Sequence, residues 1–159
     1  MTTITLRTAF PGDRETVVDL IQILNRVEAA LTGDRKRERS AASAYYDELM
    51  QRLSNRSGRI ILAEAEGIAI AAMGFSIDED AAYVTDDVRR HGTVTDLVVR
   101  EEWRGRGVGR MLLEEAERLT RRAGCIRLTI AALSANEAAE GMYRTFGFKP
   151  YVSILVKEL

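Results

Sequence analysis

The stretch from Thr93 to Leu113, TVTDLVVREEWRGRGVGRMLL, constrains this chain more than any other part of it. Thr93 to Val99 is rich in β-branched and apolar residues and reads as a buried strand. A loop carrying Gly105, Gly107 and Gly109 follows, and then an amphipathic helix over about 107–123, with Val108, Met111, Leu112, Ala116 and Leu119 on one face. A strand feeding a glycine-rich turn that opens a helix leaves the first helical N–H groups pointing at one spot, where the helix dipole favours an anion. Arg104, Arg106 and Arg110 surround that spot with fixed positive charge. The arrangement reads as a pyrophosphate cradle. The spacing Gly105-Arg-Gly107-Val-Gly109 is neither the GxGxxG of a dinucleotide fold nor a P-loop, because no Gly-Lys-Ser/Thr follows.

The rest of the chain supplies a sheet and helices around this unit. Ile4 to Thr8 alternates like a short strand, and Pro11-Gly12-Asp13 breaks it, with Asp13 placed to cap a helix bearing Val17, Val18, Leu20, Ile21 and Leu24. Residues 25–43 are charged and weakly periodic. Ala42, Tyr45, Tyr46, Leu49, Met50 and Leu53 then form an apolar stripe at helical spacing. Arg59–Ala65 and Ile68–Ile77 read as strands joined at Glu66-Gly67, and the polar loop 78–92 separates them from the strand at 93–99. Gly124 ends the 107–123 helix, Ile126 to Leu133 is the next strand, and Ser134-Ala-Asn-Glu137 has capping-box spacing for a helix that stops at Phe146-Gly147. Tyr151 to Val156 reads as a final strand. The order β-α-α-β-β-β-α-β-α-β predicts one α/β domain over residues 1–159, with a mixed sheet and helices on both faces.

Composition excludes several classes. The net charge of −1 removes the electrostatic case for nucleic acid or an anionic membrane. No apolar run is long enough for a transmembrane helix, and residues 1–7 lack the pattern of a signal peptide, so a cytoplasmic protein is expected. Cys125 is the one cysteine, which rules out an internal disulfide and suggests a buried structural thiol. No metal site is expected.

Two motifs together resemble the GNAT superfamily of acyl-CoA N-acyltransferases. Arg104, Gly107 and Gly109 match its cofactor motif, Gln/Arg-x-x-Gly-x-Gly/Ala, in register, and Asn136-Glu-Ala-Ala139-Glu-Gly-Met-Tyr143-Arg-Thr-Phe-Gly147-Phe148 is similar to its second signature. The resemblance implies a mixed, mostly antiparallel sheet in which strands 93–99 and 126–133 splay apart, and acetyl-CoA as co-substrate. The backbone of Leu97, Val98 and Val99 would pair with the pantetheine arm. Arg104, Gly105, Arg106, Gly107, Val108, Gly109 and Arg110 would hold the pyrophosphate, and Asn136 would contact the cofactor arm or simply cap its helix. Tyr143 matches the usual general acid for the departing thiolate, with a core aromatic as the alternative role. Asp96 sits where many members carry an acidic base, and its alternative is a bond to a backbone amide beside a bulge.

The implied reaction is acetyl transfer to a primary amine, on a small molecule or a protein, by direct attack in a ternary complex. A non-catalytic acetyl-CoA sensor is the second reading. An arginine/glycine-rich nucleic-acid binder centred on residues 104–107 is the third, disfavoured by the balanced charge. His91 is expected at an exposed hairpin tip, Glu101 and Glu102 in a solvated loop, and the acidic stretch 78–87 in a solvated hairpin. Only residues 149–159 follow the Tyr143 helix, where many members have two strands, so a homodimer that completes the sheet edge is plausible.

Overall fold

The computed structural model describes residues 1–159 throughout. Five strands form one sheet in the order β1-β2-β3-β4-β5. They are β1 (Ile4–Thr8), β2 (Arg59–Ala65), β3 (Ile68–Glu79), β4 (Arg90–Val99) and β5 (Leu128–Ile130). The first four pair antiparallel, and β5 pairs parallel with β4, giving a mixed, mostly antiparallel sheet. Helices α1 (Arg14–Thr32), α2 (Arg39–Ser54), a single turn α3 (Asp86–Arg89), α4 (Val108–Arg122) and α5 (Glu137–Phe146) cover it.

Strand alternation divides the core in two. Ile60 and Leu62 face α1 and α2, where Val17, Leu20, Ile21, Leu49 and Leu53 complete one cluster. Ile61, Ala63 and Ala65 face the other way, against Val108, Leu112, Leu113 and Ala116 of α4 and Tyr143 of α5. Helices therefore lie on both faces. No helix is long and apolar enough to cross a membrane.

Helix α1 extends through the charged segment to Thr32 and ends on Gly33 in the left-handed region (φ 76°). Asp13 precedes α1, but its carboxylate accepts from Arg7 and from the Phe10 N–H instead of from the α1 backbone. The β2–β3 turn falls at Glu66-Gly67, both with positive φ. The cap of α5 is Asn136, not Ser134: its Oδ1 accepts from Ala139 N at 3.1 Å.

Two differences in the loop 78–92 change the electrostatic picture. Strands β3 and β4 run further than their apolar cores suggest, so His91 pairs with Asp78 inside the ladder and is 6% exposed, not at a surface tip. Its Nδ1 lies 3.1 Å from Arg89 O and 3.6 Å from Asp80 Oδ2. Asp78 meets Arg56 and Glu79 meets Arg89 at the strand end of the acidic stretch, while Asp86 and Asp87 are exposed and unpaired, as expected of a solvated loop.

The C-terminal side departs most from expectation. Strand β5 is three residues long, because the chain leaves the sheet after Ile130. Residues 147–159 form no strand. Tyr151, Val152, Ile154, Leu155 and Val156 stand 69–92% exposed, although their β-branched content is what a strand requires.

Candidate active site

The site begins with an irregularity in β4. Gly74 pairs with Asp96 but Phe75 pairs with Val94, so Thr95 is an extra residue on β4. Such a bulge kinks a strand and shifts its side-chain phase. Val94 accordingly packs in the α4 cluster and Val98 in the α1/α2 cluster, although four residues of unbroken strand would put both on one face. Gly74 makes room for the bulge: a side chain there would collide with Thr95 Oγ1.

Pairing between β4 and β5 ends at Val94 and Ile130, beside the bulge. From Asp96 to Val99 the β5-facing edge of β4 has no strand partner, which leaves a gap in the sheet beyond Ile130. Leu97 and Val99 pack toward the α4 cluster, and Val98 is buried on the α1/α2 side. The Val99 carbonyl accepts from Arg104 Nε at 3.0 Å.

The glycine loop lies at the open end of the gap. Glu101–Trp103 form a 3-10 turn, and Gly105 and Gly107 both take left-handed φ, 72° and 82°, which a side chain would resist. Gly109 serves a different purpose, since a Cβ there would meet Met142 Sδ of α5 at 2.9 Å. Val108 is 1% exposed and pins the start of α4 into the core. None of the six backbone N–H groups from Gly105 to Arg110 donates to a protein acceptor. A row of free donors at a helix N-terminus is an anion cradle by construction.

The three arginines are exposed and already engaged. Arg104 binds the Val99 carbonyl, Arg106 lies 5.0 Å from the Trp103 ring centroid, and Arg110 pairs with Glu114 at 2.9 Å. The backbone donors, not these side chains, are the unsatisfied groups. Asn136 spends its side-chain oxygen on the α5 cap. No cluster of three His, Cys, Asp or Glu side chains has metal-ligand geometry.

The two candidate catalytic residues come from different elements: Asp96 of β4 turns toward Tyr45 of α2, and Tyr143 of α5 lies in the α4 cluster, close enough for the Asp96 charge to act on its phenol. Tyr143 of α5 packs edge-on against Phe148, with centroids 6.1 Å apart. Its hydroxyl is neither bonded to the protein nor sealed in the core, since Thr95 Oγ1 alone is both buried and unpartnered. Burial, then the charges of Glu28 and Asp96, push its pKa up to about 12, so it remains a proton donor at neutral pH. Burial also raises the Asp96 carboxyl above its ordinary range, which strengthens its carboxylate as a proton acceptor.

Asp96 has a partner that its sequence neighbours do not reveal. Tyr45 Oη of α2 lies 2.9 Å and 3.1 Å from its two carboxylate oxygens, and Arg52 Nη2 donates to the same phenol at 3.1 Å. Tyr45 was legible only as part of an apolar stripe, yet it is half-buried and turns its polar end across to β4. The available signal was the pairing of Tyr45 with Arg52, seven residues and two helical turns apart on one face.

Comparison with known proteins decides the family. The sequence profile described as the Acetyltransferase (GNAT) family matches residues 22–148. The chain belongs to the GNAT family. Among its relatives, an aminoglycoside N(6')-acetyltransferase type 1 of Stenotrophomonas maltophilia is 30% identical over 104 residues, which is 65% of this chain and 67% of that one. A Bacillus subtilis protein described as a candidate ribosomal protein bS18-alanine N-acetyltransferase is 26% identical over 107 residues, 67% of this chain. The match spans 62% of that relative's own length. The crystal structure of a GCN5-related N-acetyltransferase from Ralstonia eutropha superposes with a TM-score of 0.76 at 22% identity, covering 98% of this chain and 99% of that one. This GNAT fold is thus carried nearly whole.

Proposed function

We propose that this GNAT chain is an acetyl-CoA-dependent N-acetyltransferase that passes the acetyl group to a primary amine by direct attack in a ternary complex. The observation that carries the reading is the row of unpaired N–H groups from Gly105 to Arg110, set at the mouth of the gap between β4 and β5. That row suits a pyrophosphate, and the unpaired edge of β4 from Leu97 to Val99 suits the amides of a pantetheine arm lying in place of a strand. Arg104, Arg106 and Arg110 add positive charge nearby.

Acetyl-CoA supplies a thioester carbonyl activated for attack. Asp96 takes the proton of the amine, directly or through water, because only the neutral amine is a nucleophile. Tyr143 gives its phenolic proton to the departing sulfur. The relatives named for aminoglycosides and for a ribosomal protein alanine support an amine acceptor of either size. Asn136 orients the cofactor arm through the part of its amide that the helix cap leaves free. We also read the molecule as a cytoplasmic homodimer, supported by its reduced cysteine, its open β5 edge and its exposed apolar C-terminal residues.

The test has two stages. Acetyl-CoA at a hundred times its Kd stabilises a native-state binder by about 2.7 kcal/mol, equivalent to roughly 5–10 °C in Tm for a chain of this size. CoA-thiol release is then followed across aminoglycosides, polyamines, amino acids and peptides with a free N-terminal alanine. A melting shift with turnover of one class is the expected outcome. Binding without turnover of any amine favours the sensor reading, and the absence of a shift overturns both.

A further inference from the structure

The proposed base sits at the end of a one-way chain of hydrogen bonds. Arg52 Nη2 donates to Tyr45 Oη, and Tyr45 donates to the Asp96 carboxylate. We infer that Tyr45 and Arg52 are positioning residues for Asp96: they fix the orientation of its carboxylate and keep it ionised in a buried place. This inference rests on the reading of Asp96 as the base.

The direction of donation carries the argument. Guanidinium has no acceptor and stays protonated, so Arg52 cannot take a proton from Tyr45. Burial, with the charge of Asp96, pushes the Tyr45 phenol up to about 12, so it cannot act as a base at neutral pH. The chain therefore polarises toward the carboxylate and is not a route for protons leaving it. One phenolic proton still leaves lone pairs on Asp96 free for an incoming amine.

Of the groups outside this chain of bonds, only the neighbouring Thr95 hydroxyl also favours the ionised form of Asp96. Glu28 of α1 is negative and works against ionisation, and it is itself engaged by Arg35 at 3.0 Å. Tyr143 of α5 keeps its proton at neutral pH and makes no hydrogen bond to the carboxylate. Burial is the largest influence on Asp96, so removing the Tyr45 donor leaves a desolvated carboxylate with only the Thr95 hydroxyl beside it to hold its charge.

The sign follows. Tyr45 bonds the ionised form, so Tyr45→Phe raises the Asp96 pKa and moves the acid limb of kcat/KM to higher pH. On that limb the variant loses roughly tenfold, the scale of a hydrogen bond to a charged group. Arg52→Gln shifts the limb the same way by less. Acetyl-CoA affinity holds in both, because neither residue lies at the glycine loop.

The experiment combines the carboxyl-carbon NMR titration of Asp96 with the pH–rate profile, using the amine that turns over fastest in the screen above. Asp96→Asn assigns the NMR signal and removes the acid limb. Upward movement of both the titration and the limb in Tyr45→Phe is expected. An unmoved titration overturns the inference while Asp96 keeps its role. A moved titration with an unmoved limb, or an Asp96→Asn variant of unaltered profile, overturns Asp96 as the base and with it the part of Tyr45 in the reaction. The NMR arm needs no acceptor, so it decides the first question even for a slow enzyme.

Discussion

Tyr143 combines two properties that seldom meet in a core aromatic. Its ring belongs to the α4 cluster, and its hydroxyl is left without a protein partner. A ring kept only for packing has no need of that hydroxyl. Tyr143→Phe keeps the ring and deletes the acid, so acetyl-CoA affinity holds while kcat falls by roughly 10²-fold where chemistry limits the rate. Calorimetry with acetyl-CoA and initial rates with a working amine measure the two quantities, and unaltered turnover removes Tyr143 from the mechanism. Tyr143 and Asp96 could be named as candidates from the sequence, because each stands in or beside a recognisable motif. Tyr45 could not, because a helical stripe says which face is buried and nothing about a phenol tip reaching past that face. His91 was misread for another reason: β3 and β4 run on through the polar stretch, so His91 pairs with Asp78 inside the ladder instead of standing at its tip.

Among the elements, the glycine loop separates strain from ligand space. Open room surrounds Gly107, yet its φ of 82° lies in the left-handed region. Gly107→Val costs about 1–3 kcal/mol through backbone strain, and relief of that strain turns the N–H row away from its common focus. Acetyl-CoA binding is then lost. Gly33 offers the matched control, with open space and φ 76° at the far end of α1. Gly33→Val shows a similar loss by thermal denaturation with affinity intact by calorimetry. Equal affinity in the two variants removes the loop from cofactor binding. The boundaries of α4 were legible because glycine punctuation and the 3.6-residue period agree there. The short β5 was not, since Ile126 to Leu133 is strand-compatible along its length and local pattern cannot tell a strand that pairs from one that parts from its neighbour.

The whole molecule presents an imbalance at one side of the sheet. β5 is an edge strand, and Ile126, Tyr151, Val152, Ile154, Leu155 and Val156 all lie 69–92% exposed. Tyr151 rests against Arg127, so the apolar segment begins beside the open edge. Two copies that each lend this segment to the other would cover it in a closed, two-fold arrangement. Light scattering is expected to give twice the 17.7 kDa chain mass. Ile154→Asp with Leu155→Lys is expected to return the monomer without unfolding it, because neither side chain belongs to a core cluster. A monomer in the unaltered protein at high micromolar concentration overturns the dimer. The sequence predicted a strand at 151–156, but strand propensity alone does not state which edge or which chain such a segment would pair with, and here it pairs with none.

The extra residue at Thr95 also bears on which lengths of β4 the fold can accept. Loops on this surface tolerate gained or lost residues, since nothing beyond them counts residues. β4 does count. Taking Thr95 into a regular ladder would change the face of every residue beyond it, turning Asp96 away from Tyr45 and toward the α4 side and swinging Val98 out of the α1/α2 core. Deleting Thr95 would leave the faces as they are, since Val94 and Val98 would then stand three apart. The strand can therefore lose its bulged residue without exchanging its faces, but it cannot absorb that residue into the ladder.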